Sequence, residues 1–293
     1  MFYVFAMVAV PLIGLKADDF RHPLDRQATQ SLKQLPGLDV AVRGLLGSVA
    51  EQFFALNQLA ASVRVSAKQL PELHQLLLTA CQILDVEPPD LYIQQNPIPN
   101  AYTLAMRGKR PCMVLHTSLV EMLTPQEIQA VMAHELGHLK CEHGVYLTLA
   151  NLLVLAAGLL PSWGTMLAQS LQTQLWEWLR CAELSCDRAA LLAVQDPQIV
   201  MSVLMKLAGG SPSLAPQLNL EAFIEQAREY DAIGTTGLGA TLTTLQTQQL
   251  THPAPVLRAR EIDRWASSQP YQDLLESYLK VYNQNSQGGW RNW

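Results

Sequence analysis

Charge is scarce in this sequence: only 15% of its 293 residues are Asp, Glu, Lys or Arg, against about 25% in an ordinary soluble domain. With hydrophobic residues at 49%, that shortage excludes a disordered chain. The 20 basic residues form no run long enough to be an electrostatic footprint, and the net charge is −5. Nucleic acid is therefore excluded as a partner. Mean hydropathy is +0.09, too low for a polytopic membrane protein. The five cysteines (Cys81, Cys112, Cys141, Cys181 and Cys186) are scattered and contain no CxxC pair, which argues against a disulfide framework and for a reducing compartment. Residues 1–15 are apolar but lack a basic segment before them and a small-residue cleavage site after them, so they do not read as a secretory signal. Fifteen helical residues reach about 22 Å, short of a hydrocarbon core of about 30 Å. A weak anchor, a buried segment and a translated leader stay open for this stretch.

No internal repeat or linker divides the chain. Residues 1–66 read as an N-terminal apolar segment and helical extension, 67–282 as one domain, and 283–293 as a polar tail. Residues 16–37 look polar and irregular, and helical patterns follow over 38–62 and 68–84, the second starting near Pro71. Pro88 and Pro89 break the chain before three short strands, 91–95, 101–106 and 111–116, the last two joined by a turn at 107–110. Thr124-Pro125-Gln126-Glu127 is a helix start, with Thr124 as N-cap, Pro125 in the first turn and Glu127 as capping-box partner. No residue between His143 and Glu177 is charged. That stretch predicts an apolar helical hairpin over 145–179, turning at 161–164. Asp196-Pro197 starts another helix ending at Gly209-Gly210, a further helix follows Asn219, and two more precede the tail. The fold class is α+β and mostly helical, with a small antiparallel sheet.

The chemistry lies in Ala133-His134-Glu135-Leu136-Gly137-His138. Residues four apart share one helix face, so His134 and His138 can hold one Zn²⁺ per chain, with Glu135 beside them to take a proton from a zinc-bound water. Catalytic zinc needs a third protein ligand. The metzincin continuation fails, since Cys141 and Gly144 stand where Gly and His are required. Cys141 lies near the same stripe but a turn past the metal, and His143 points off it; packing and helix C-terminal polarity are the plain readings of both. Glu183, beyond the apolar hairpin at the start of a returning helix, is the better third ligand. Asp187, one turn on, is placed to accept a hydrogen bond from the distal nitrogen of a zinc-bound histidine.

With the HELGH motif at 134–138, Glu183 and Asp187 as ExxxD, Asn100-Ala101-Tyr102 upstream and His252-Pro253 followed by Arg258, the chain resembles the metallopeptidase family of the HtpX heat-shock protease and the CaaX prenyl endoprotease, as a compact, HtpX-like member. The resemblance spans residues 70–264 and implies a zincin-like (gluzincin) domain with zinc on His134, His138 and Glu183. It implies Glu135 as general base and Asp187 behind the ligands. Asn100, Ala101 and Tyr102 would begin an edge strand to which a peptide substrate adds, and His252 or Arg258 would face the developing oxyanion. The several long membrane spans of the integral members are missing from this sequence, so prenylated substrates are not expected.

The expected function is a zinc metalloendopeptidase acting on protein or peptide substrates. It would be either membrane-associated, with its active site on the cytoplasmic side, or cytoplasmic. The hairpin 145–179 and residues 1–15 are the candidate membrane contacts, and Trp163, Trp176 and Trp178 would suit an interfacial belt. The contrasting readings are a catalytically silent membrane-associated adaptor and a deformylase-like zinc hydrolase. The adaptor is disfavoured because ligands and base are all present. The deformylase is disfavoured because Cys112, the nearby upstream cysteine, has no supporting motif.

Overall fold

The computed structural model describes residues 9–34, 60–104, 110–144, 146–147, 162–234 and 253–288. Most of the helix expected over 38–62, nearly all of the turn expected at 107–110 and most of the first arm of the apolar hairpin lie outside the described residues. So do residues 235–252, and the side chain of Trp163 is not described.

Two helices form the centre. Helix α5 (Pro125–Lys140) starts as its capping residues dictate: Thr124 Oγ1 accepts from the Glu127 amide at 3.4 Å, and Glu127 Oε2 accepts from the Thr124 amide at 2.8 Å. Glu127 also accepts from Ser202 (2.7 Å) and Lys206 (2.6 Å) on α7 (Pro197–Gly209), which pins that helix across α5. Helix α6 (Ser162–Val194) is continuous over 33 residues. Glu183 is thus in its interior, where the sequence predicts a helix start; no glycine or proline lies between Gly164 and Val194 to interrupt it. The two helices run antiparallel and close together because Gly137 faces α6. A Cβ there would meet Ala189 Cβ at 2.9 Å and Cys186 Cα at 3.0 Å.

The sheet has the order β1 (Val63–Arg64), β2 (Asp90–Gln94), β4 (Cys112–His116), β3 (Ala101–Leu104). It is mixed, which corrects the antiparallel expectation: β3 and β4 form an antiparallel hairpin, but β2 pairs with β4 in parallel. All five residues of β4 are buried, so it takes the interior position and the half-buried β3 the edge. Met113 and Leu115 face the helical core, while Tyr92, Cys112 and Val114 cluster with Tyr102 and Leu104 on the opposite face.

Around this centre lie α3 (Pro71–Leu84), α4 (Thr117–Met122), α8 (Leu220–Gly234), α9 (Pro255–Ala266) and α10 (Gln269–Gly288). Helix α10 carries regular structure past Asn283, where the sequence suggests a tail. The segment expected to be irregular holds α1 (Ala17–Phe20) and α2 (Pro23–Lys33). Helix α2 escapes the periodicity because the face it buries is partly polar, with Asp25, Thr29 and Leu32. Residues 9–15 are partly buried: Leu12 and Leu15 are in the core, Ile13 and Gly14 are exposed, and the Val10 backbone exchanges two hydrogen bonds with the Gln195 side chain at 3.0 and 2.9 Å. Trp178 is likewise buried, beside Leu32, and donates its indole N–H to Thr29 at 2.8 Å. That corrects its expected place in an interfacial belt. Among the described residues, no helix is long and apolar enough to cross a membrane.

Candidate metal centre

One turn of α5 presents His134 and His138 on the face toward α6, as the four-residue spacing requires. The long helix α6 brings Glu183 between them. Glu183 Oε2 lies 3.3 Å from His134 Nε2, and Oε1 lies 3.3 Å from His138 Nε2. Ligand atoms about 2.0–2.1 Å from a tetrahedral zinc stand about 3.3–3.4 Å apart, and each histidine Nε2 stands at about that distance from one oxygen of Glu183. Two imidazole nitrogens and a carboxylate also suit zinc chemically. Burial disfavours a charged His134, but Glu183 and Asp187 overcome it and raise its pKa to about 10. The two carboxylates draw a cation to this point.

Asp187 accepts from His134 Nδ1 at 3.0 Å, which leaves Nε2 turned to the site. Asp187 is itself clamped by Arg258 from α9, through Nε at 2.8 Å and Nη2 at 2.6 Å, while Arg258 Nη1 is 3.4 Å from Glu183. Burial pushes the Asp187 carboxyl up, but Arg258 and His134 hold it below the usual range. The guanidinium expected to face an oxyanion is thus engaged with the two acids of α6. His252, just ahead of α9, lies outside the described residues.

Glu135 is buried beside the histidines and accepts from Thr103 Oγ1 at 2.7 Å. Sequence reasoning missed Thr103. The available signal was the two-residue period of β3, which puts Thr103 on the face of Ala101 and toward α5. Tyr102 therefore points the other way, and its hydroxyl bonds Gln94 at 3.2 Å. Its backbone stays on the edge strand, which among the described residues pairs only with β4. Asn100 and Ala101 line the cleft beside His134 and Glu135, and the Asn100 carbonyl accepts from the His116 amide at 3.0 Å. Val131, Val200, Val203, Leu204 and Leu207 give the cleft an apolar wall.

Cys141 and His143 are not among the atoms that face Glu183. His143 stands behind His138, Nδ1 to Nδ1 at 3.2 Å, and its Nε2 is 3.2 Å from Asp25. Cys141 is buried, which pushes its thiol up to about 11. Cys186 is buried close to His134 and His138, and burial pushes its thiol well up.

Residues 67–266 match peptidase family M48. The chain is 58% identical over 262 residues to the plastoglobule-localized metallopeptidase 48, chloroplastic, of Arabidopsis thaliana, covering 89% of this chain and 76% of that one. It is 28% identical over 169 residues to protease HtpX homolog 2 of Methanosarcina mazei, and 28% over 171 residues to the protease HtpX homolog of Moorella thermoacetica. Those matches cover 50% of this chain and 58% and 57% of the relatives. No solved structure matches the chain at a significant level. With the family match covering more than half of its length, the chain belongs to peptidase family M48 and is an HtpX-like metallopeptidase.

Proposed function

We propose that the protein is a zinc-dependent endopeptidase of the gluzincin type, with His134, His138 and Glu183 as ligands and Glu135 as general base. The convergence of His134, His138 and Glu183, with each histidine Nε2 3.3 Å from one Glu183 oxygen and Glu135 beside them, carries this reading. Zinc held there would polarise the scissile carbonyl and lower the pKa of a bound water toward about 7. The chain's own groups do the rest. Glu135 accepts the water's proton at the oxygen not held by Thr103 and delivers it to the leaving amine. Asp187, fixed by Arg258, keeps His134 in the tautomer that leaves Nε2 free. The open edge of β3, beginning at Asn100, Ala101 and Tyr102, aligns an extended substrate backbone. His252 is assigned the oxyanion on the resemblance alone.

The relative named for its plastoglobule localization supports a comparable setting for this chain, and membrane-associated protein quality control is the role we assign it. Metal content and casein cleavage, with and without a chelator, test the activity. Stoichiometric zinc and chelator-sensitive cleavage are expected; zinc without cleavage would favour the adaptor.

A further inference from the structure

Behind the second histidine lies a polar chain that the proposed chemistry does not use. His138 Nδ1 is 3.2 Å from His143 Nδ1, and His143 Nε2 is 3.2 Å from Asp25 Oδ2. If His138 gives Nε2 to the metal, its proton is on Nδ1 and must be donated to a bare His143 Nδ1. The His143 proton is then on Nε2, aimed at Asp25. One set of tautomers satisfies all three groups. Asp25 also accepts from Ser185 at 2.6 Å and Thr29 at 2.9 Å, with Arg21 Nε 3.5 Å away. Asp25 and Ser185 are fully enclosed and His143 is 1% exposed. Burial pushes the Asp25 carboxyl up, but His143, Ser185 and Thr29 bring it down to about 2, so it is an anion.

The atoms of Asp25, Cys141 and His143 are close enough to suggest a second ion. The adjacent Arg21 cation and the protonated Cys141 thiol oppose one. A hydrogen-bonded relay fits both.

Resting on the zinc reading above, we propose that His143 and Asp25 are positioning residues that orient His138 and convey a carboxylate's negative charge to the metal. Asp25 lies on α2, outside the family-matched residues 67–266. The helix ahead of the family domain thereby completes the metal centre, as Asp187 does directly for His134.

The test uses the full chain, with zinc affinity read by chelator competition and the visible spectrum read after cobalt substitution. Asp25→Asn and His143→Phe should each weaken zinc binding about 10–100-fold and shift the cobalt bands. In the His143→Phe background, Asp25→Asn should add less than about twofold, because the relay is already broken. Leu32→Ala loosens the same helix without touching the relay, so it should lower Tm and leave affinity and spectrum unchanged. Should Asp25→Asn not fold, Ser185→Ala carries the test at about threefold. Unchanged affinity in the relay variants, or an equal loss in Leu32→Ala, overturns the relay alone. A wild-type chain that takes up no zinc overturns the proposed function and the relay with it.

Discussion

Thr103 donates its hydroxyl proton to Glu135 Oε2 at 2.7 Å and so ties the edge strand β3 to the helix bearing both histidines. The bond leaves one carboxylate oxygen for the water of the proposed mechanism. Thr103→Val keeps the shape of the side chain and removes the donor. We expect kcat to fall about 10-fold, as for loss of a hydrogen bond to a charged group, with zinc per chain unchanged. Wild-type kcat in this variant would show that the bond does not orient the base.

Glu135 and Glu183 should fail in different ways. Glu135→Gln cannot accept a proton, so cleavage should drop by about 10²–10⁴-fold while zinc stays. Glu183→Gln replaces the proposed charged ligand with a neutral amide, so zinc occupancy itself should drop. Metal analysis and peptide turnover on the purified variants separate the two. An emptied site in Glu135→Gln with a full, active site in Glu183→Gln would place the third ligand elsewhere.

Gly137 is tested by Gly137→Ala. On an isolated helix alanine gains about 1 kcal/mol over glycine. Here the added Cβ would press on Ala189 and the Cys186 backbone at 2.9 and 3.0 Å, so overpacking of about 1–3 kcal/mol should win. A lower Tm and weaker zinc binding are expected, since α5 and α6 each carry proposed ligands. A raised Tm would mean that the helices separate freely.

His134, Glu135 and His138 were legible because their spacing is a property of one helix. Glu183 and Asp187 stood out as acids in an apolar stretch, though their place inside a continuous helix did not. What stayed hidden is non-local or polar. The parallel pairing of β2 with β4 depends on which strand the core buries on both faces. Asp25 and Thr29 look like a solvated helix face until Ser185, His143 and Trp178 are found against them. Thr103 is an ordinary strand residue until α5 is laid beside it.

The apolar wall of the cleft sets an expectation for cleavage preference. Val131 is one turn ahead of Glu135 on the same face of α5, and it lines the cleft together with Val200, Val203 and Leu204 from α7. In the proposed mechanism Glu135 hands its proton to the leaving amine, which would place the residue supplying that amine on this side of the metal. Its side chain meets the apolar wall, where burying an aliphatic group is favourable and burying a charge is costly. Peptides with Leu after the scissile bond should therefore be cut at least about 10-fold faster than those with Asp or Lys there, read as kcat/KM. Val131→Phe fills the same space and should move the preference toward Ala or Gly, with zinc content unchanged. Equal cleavage of the Leu and Asp peptides, or an unaltered preference in Val131→Phe, would show that the wall does not contact that residue.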